Sequence, residues 1–212
     1  MTPESGRQNP FMEPLTLTTE RLLLRPPAAS DVDAIHAACQ DPAIQRWTTV
    51  PSPYERGHAE DFVGRMVPDG WRDDTEYALV VQLRAGGPVI AALSLHHPRS
   101  WTWEIGYWTA REHRGRGYMT EAVTAMCRFA FTRLGAVRVE WRAEAGNTAS
   151  RALAEKAGFV VEGTLRGGLL NKNTLRDCWI GGLLPSDLGL PAPWPYLPAP
   201  DRERSAEPNG AE

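Results

Sequence analysis

Between Glu112 and Val123 the chain reads EHRGRGYMTEAV, with two glycines set among arginines just where an apolar helical period begins. Gly115 and Gly117 allow the backbone to turn sharply and to come close to a ligand with no side chain between them. The amides that open the following helix have no partner inside it and carry the positive end of its dipole, so the stretch predicts an anion site. Arg111, Arg114 and Arg116 add charge at the same place, and guanidinium forks match phosphate oxygens. The pattern G-x-x-x-x-G-K-[ST] is absent, and G-x-G-x-x-G does not follow the first strand, so nucleotide hydrolysis and dinucleotide binding lack their signatures. Taken alone, the loop also fits a glycine turn between packed elements with solvated arginines.

Other reactive side chains are scattered. His96 and His97 precede a proline at a strand end, and without an H-E-x-x-H pattern or paired cysteines no metal site is expected. His36 and His58 fall on expected helices as surface or boundary residues. Cys39, Cys127 and Cys178 are odd in number and far apart, which reads as reduced thiols in a core.

The elements that must position the loop follow from periodicity. LTTERLLLRP reads as a strand, and Ser30 stands as N-cap before the amphipathic DVDAIHAACQ. A second helix is expected from Tyr54 to Met66. EYALVVQL and VIAALSL flank RAGGP as a hairpin, and WTWEIGYWTA is a further strand. Met119, Ala122, Val123, Met126, Ala130 and Leu134 mark one face of a helix that stops at Gly135. VRVEWRA is a strand, NTASRALAEKAGF a helix, and VVEGTLRG and TLRDCWIGGLL closing strands. The order predicts an α+β or mixed α/β fold in one domain over residues 14–185. Residues 1–13 and the proline-rich 186–212 are expected to be loose, with Trp194 and Tyr196 able to dock the tail on a surface groove.

The 212 residues are 42% hydrophobic, with 23 Lys plus Arg against 26 Asp plus Glu, a net charge of −3. This balance excludes an electrostatic footprint for nucleic acid or anionic lipid. No apolar run reaches the length of a membrane span and the N-terminus lacks a signal-peptide layout, so a cytoplasmic protein is expected.

Arg114-x-x-Gly117-x-Met119 after a strand, then Asn147-x-x-Ser150 and Lys156-Ala157-Gly158-Phe159, resembles the acyl-CoA-binding core of the GNAT acyltransferase superfamily. GYMTEAV, NTASRALAEKAGF and EGTLR are similar to the branch of the RimJ and RimL acetyltransferases of ribosomal-protein N-termini. The likeness runs from about Leu17 to Leu184. It implies a mostly antiparallel twisted sheet with flanking helices, splayed between its fourth and fifth strands. It also implies acetyl-CoA as acyl donor without a metal. Backbone amides of Arg114, Gly115, Arg116, Gly117, Tyr118, Met119 and Thr120 would cradle the pyrophosphate, Trp108 and Thr109 would line the pantetheine arm, and Asn147 would hydrogen-bond the cofactor. The family usually carries Gly or Ala where Met119 stands, and a flexible Met can turn into the core.

Transfer of an acyl group from a thioester to an amine needs a neutral amine, stabilisation of the oxygen that gains charge, and a proton for the departing thiolate. Glu104 is the expected base: flanked by Trp101, Trp103 and Trp108 it should be partly desolvated, and many superfamily members place a base on this strand. Its alternative is an ion pair with Arg99 or Arg142. A backbone amide at Trp108 or Thr109 should meet the oxyanion where the strand bulges or parts from its neighbour. The tyrosine that many members use as acid is replaced by Ala154. Ser150 is the candidate by likeness to the ribosomal-protein branch, with helix capping as its alternative and Tyr107 and Tyr118 in reserve.

The expected partner is a primary amine, either a protein N-terminus or a small molecule such as an aminoglycoside or polyamine, met by Trp47, Tyr54, Trp71 and the loop Gly168 to Thr174. Homodimers are common in the branch, with the closing strands as pairing edge. A non-catalytic acyl-CoA sensor or interaction module, or an acyltransferase using another donor such as succinyl-CoA, remains open at this point.

Overall fold

The first expected strand is broken in two. β1 (Leu17–Thr18) and β2 (Leu22–Arg25) pair antiparallel across a turn in which Thr19 N donates to Leu22 O at 3.0 Å. The structure, a computed structural model, describes residues 15–99 and 101–199; the segment 1–13 and the end of the tail lie outside the described residues, as does the His97 side chain.

After β2 come α1 (Val32–Cys39), α2 (Pro42–Trp47) and α3 (Arg56–Asp61). A π turn over Phe62–Met66 joins α3 to α4 (Val67–Arg72). Ser30 does not cap α1. It lies in a 3-10 turn, and Asp31 follows it as the N-cap residue, its carboxylate taking the Ala28 amide at 2.7 Å and the Arg25 guanidinium at 2.7 and 2.9 Å. The second helical region runs beyond Met66 because Pro68 falls in the first turn of α4, where a missing N–H breaks no helical bond. α2 has no counterpart in the periodicity, since six residues make too short a window for it. Asp41 opens α2 by accepting from Ala43 N at 2.7 Å.

The hairpin holds, with β3 (Glu76–Leu83) and β4 (Ala91–Arg99) joined through Gly86 and Gly87, both at positive φ. β5 (Thr102–Thr109), α5 (Tyr118–Arg133), β6 (Arg138–Glu144) and α6 (Thr148–Lys156) follow, then β7 (Val160–Asn171) and β8 (Thr174–Leu183). The eight strands form one sheet in the order β1-β2-β3-β4-β5-β6-β8-β7, antiparallel throughout except for the β5–β6 pair. Residues expected as the loop Gly168 to Thr174 are instead hairpin, with Leu169 to Asn171 paired to Arg176 to Thr174.

Both faces of the sheet are covered. Val80 and Ala92 pack with Val32, Ile35, Ala59 and Val63 of α1, α3 and the π turn, while Leu79, Val81 and Leu93 pack with Met119, Val123, Met126 and Ala130 of α5. This two-sided burial explains why EYALVVQL is nearly continuous in apolar residues instead of alternating. Met119 turns into that core, as its flexibility allows, and all three cysteines are free and buried.

The pairing of β5 with β6 extends only from Thr102↔Arg138 to Ile105↔Trp141. Beyond it the two strands continue with other neighbours, Gly106 to Thr109 with β4 and Arg142 to Glu144 with β8. The sheet is therefore splayed between β5 and β6, the fourth and fifth strands if β1 and β2 are counted as one. In the tail, Trp194 meets Trp101 edge-on at 5.1 Å between ring centroids.

Candidate active site

The splay opens a cleft of about 1070 Å³ that runs from the aromatic wall of Trp47 and Tyr54 to the glycine loop. Glu104, Ser150, Asn147, Trp108, Thr109, Arg114, Gly115, Gly117, Tyr118, Met119 and Thr120 all line it, and Arg116 does not. Because β5 and β6 part, side chains from opposite faces of the sheet reach one space. Glu104 lies on the α1–α4 face, and Tyr107, Trp141 and Ser150 come from the α5–α6 face.

At the loop end, a 3-10 turn over Arg111–His113 leads through Gly115 (φ 74°) to Gly117 (φ 76°), which is the N-cap of α5. No side chain caps this helix, so its opening amides face the cleft. Two arginines serve the frame. The Arg114 amide donates to Arg111 O at 3.4 Å, closing the 3-10 turn. The Arg114 guanidinium donates to Thr109 O at 3.0 Å and pairs with Asp41 at 2.8 Å. Arg116 contributes its carbonyl, which accepts from Arg21 at 3.0 Å.

That last contact belongs to a clamp invisible in the sequence. Glu121 of α5 accepts from Thr19 Oγ1 at 2.5 Å, from Arg21 N at 2.9 Å and from Arg21 Nε at 2.6 Å, and the Arg21 guanidinium lies 4.8 Å over the Tyr118 ring. Burial pushes the Glu121 carboxyl up, but these donors and the Arg21 charge outweigh it and hold it below the usual range. The first strand thereby fixes the start of α5.

Midway, Ser150 Oγ accepts from Trp141 Nε1 at 3.0 Å and lies 3.1 Å from the Tyr107 hydroxyl, which is also 3.3 Å from Ser150 O. Burial pushes the Tyr107 hydroxyl up to about 12, against the opposing bonds to Ser150 and Trp141, so it remains a proton donor. Asn147 caps α6, with Oδ1 accepting from Ser150 N at 3.2 Å. The Ser150 hydroxyl is thus free of the capping duty and faces the cleft.

The environment of Glu104 differs from the expected aromatic pocket. Strand alternation turns Trp103 into the opposite core, Trp101 sits at the hairpin turn at φ 68° against Trp194, and Trp108 lies four residues further along. Glu104, 23% exposed, stands instead between His96 Nε2 and Arg142 Nε, each at 3.5 Å. Arg142 also bonds Glu140, a carboxylate only 2% exposed that Arg99 and Arg138 bind as well. Across the sheet the Cα partners run Glu76, His96, Glu104, Glu140, Gly182, one row of ionisable groups ending on a glycine. Any Cβ at Gly182 would collide with the Arg138 guanidinium lying over it.

Backbone amides complete the site. Ala110 N donates to Ile90 O at 2.9 Å, and alternation along β5 then directs the amides of Thr109 and Tyr107 to the opposite edge, which β6 has left. Of the acceptor-side residues, Trp47, Tyr54, Leu169 and Asn171 line the cleft. Trp71 does not; it stacks on Tyr77 at 4.6 Å and donates to Ala78 O at 3.1 Å because α4 folds it under β3. Among the described residues no group of His, Cys, Asp and Glu is placed to hold a metal, and no helix is long and apolar enough to cross a membrane.

A family model described as an acetyltransferase (GNAT) domain matches residues 21–160. The chain is 29% identical over 171 residues to the uncharacterized N-acetyltransferase p20 of Bacillus licheniformis, covering 80% of this chain and 96% of that one. It is 37% identical over 117 residues to the Bacillus subtilis protein YdaF, whose name assigns it to the ribosomal N-acetyltransferases, covering 52% of this chain and 62% of that protein. Among solved structures, Mycobacterium smegmatis RimJ in complex with CoA-disulfide superposes with a TM-score of 0.70 at 23% identity, over 79% of this chain and 84% of that one. At that identity the likeness concerns the fold.

Proposed function

Because the chain belongs to the acetyltransferase (GNAT) domain family, we propose that it moves an acetyl group from acetyl-CoA to the N-terminal amine of a protein by direct attack on the thioester. The observation that carries this reading is the splay, which brings Glu104, the Ser150 hydroxyl and the uncapped start of α5 into one cleft. The name of YdaF supports a protein acceptor.

The residues present fit the donor. Gly115 and Gly117 hold a backbone that L side chains rarely adopt, the amides from Gly115 to Thr120 suit a pyrophosphate, and His113 Nδ1 is buried in the cleft without a hydrogen-bond partner among the described residues. When bound, acetyl-CoA supplies an acyl carbon activated by a good leaving thiolate. The chain supplies the rest. Glu104 takes the proton of the incoming ammonium, which at neutral pH must be removed before the nitrogen can attack. The Thr109 amide donates to the acyl oxygen as it gains charge. Ser150 gives its proton to the departing sulfur, and the hydrogen-bonded Ser150–Tyr107 pair is reset by the second proton, which the nitrogen loses once it has bonded to the acyl carbon. Asn147 sets Ser150 on the first turn of α6.

The test is release of CoA thiol from acetyl-CoA against peptide N-termini, aminoglycosides and polyamines. Release that depends on the peptides supports the proposal. Release with a small amine alone would move the acceptor class, and tight binding without release on any acceptor would replace the enzyme by a sensing module.

A further inference from the structure

We propose that His96 is a positioning residue for the base, holding Glu104 from the neighbouring strand and receiving from it the proton taken from the acceptor amine. The inference rests on the reading of Glu104 as that base. His96 and Glu104 are direct Cα partners in the β4–β5 pair, both line the cleft, and Nε2 lies 3.5 Å from Oε1. The His96 ring packs over Gly106, where a Cβ would meet Cε1 at an ordinary contact distance of 3.5 Å.

A base in the cleft must pass its proton on before the next turnover, and the groups around Glu104 offer one route. Arg142, on its other side, carries a full complement of protons and accepts none. Among the described neighbours of Glu104, His96 is the one that can be neutral at physiological pH. The step balances as follows. The ammonium N–H bond breaks to a Glu104 oxygen, that proton passes to Nε2 of the neutral imidazole, and the Nδ1 proton leaves to water in the cleft. The carboxylate ends ionised and the ring neutral as its Nε2–H tautomer; exchange with cleft water, which takes the Nε2 proton and returns one to Nδ1, restores the starting form.

The charged groups facing His96 are Glu104 of β5 and Glu76 of β3, its Cα partner on the other side; Arg142 of β6 reaches it through Glu104, and His58 and Asp61 line the helical wall of the same cleft. The Glu104 carboxylate beside the ring, and then the fields of Glu104 and Glu76, outweigh burial and raise the imidazole above its ordinary value. The ring is therefore protonated through mildly acidic pH and becomes able to accept only as pH rises past that raised value.

The experiment compares wild type, His96→Gln, His96→Asn and Glu104→Gln in the full chain, with saturating acetyl-CoA and one N-terminal peptide. We expect the wild-type kcat to fall on an acid limb above the ordinary imidazole value of about 6.5. In both His96 variants that limb should be lost and kcat at neutral pH should drop about tenfold, while KM for acetyl-CoA stays within about twofold. Retention of the limb and of kcat in either folded His96 variant would overturn the proposal while Glu104→Gln still loses turnover. If Glu104→Gln also kept wild-type turnover, the base assignment itself would fall, and this inference with it.

Discussion

Nε2 of His96 stands 3.5 Å from Oε1 of Glu104 across an antiparallel pair in which the two residues are direct partners. Sheet register, not proximity in the chain, thus sets the surroundings of the expected base. The same row continues to Glu140, which binds Arg99 and Arg138 and anchors Arg142 on the far side of Glu104. The carboxylate is held from two strands, while the Ser150 hydroxyl approaches the cleft from the other face.

Gly117→Asp should weaken acetyl-CoA binding by about tenfold or more. The N-cap backbone at φ 76° strains any L side chain by about 1 kcal/mol, and a carboxylate at the start of α5 repels a pyrophosphate. Calorimetry on the folded variant reads the loss; unchanged affinity would remove the loop from the donor site.

Ser150→Ala should lower kcat more than tenfold while leaving KM for acetyl-CoA nearly unchanged, if the hydroxyl serves the departing sulfur. The change also leaves Trp141 Nε1 without its acceptor, at a cost of about 1–3 kcal/mol. Tyr107→Phe should give a smaller loss of kcat. Steady-state kinetics beside thermal melts separates the two effects, and an equal rise in KM with unchanged kcat would argue for a binding role.

Glu140→Gln should destabilise the fold by about 3 kcal/mol at neutral pH, because it strips three arginines of their shared carboxylate. Burial pushes the Glu140 carboxyl up, but the Arg138 bond and the charges of Arg99, Arg138 and Arg142 outweigh it and leave it below the usual range. A depressed value means that the stabilisation is complete above the unfolded value of about 4.3 and is lost as pH falls through the folded one. Urea melts of wild type and variant should therefore differ at neutral pH and converge in acid; a constant gap would contradict the charge account.

Most of the fold is legible in the sequence where a local signal exists. The RAGGP hairpin, the helix after Gly117 and the helix that begins near Asn147 all depend on a few adjacent residues, and all appear as read. What is missed depends on partners far apart in the chain. Arg21 and Glu121 are separated by 100 positions, so neither looks functional until β2 is laid beside α5. The three tryptophans around Glu104 suggested an aromatic pocket, yet alternation along β5 and the turn at Trp101 send them to three different places. His96 reads as the end of a strand before a proline, and β4 extends past it to Arg99. α2 was too short for its period to show.

The central claim is that Glu104 removes the amine proton, and the most direct measurement is the turnover of Glu104→Gln on one peptide acceptor at neutral pH and at about pH 9, where an N-terminal amine of pKa near 8 is mostly free. The account predicts a deficit of about a hundredfold at neutral pH that shrinks markedly at the higher one. An equal deficit at both, with acetyl-CoA binding intact, would show that Glu104 supports the site without acting as its base.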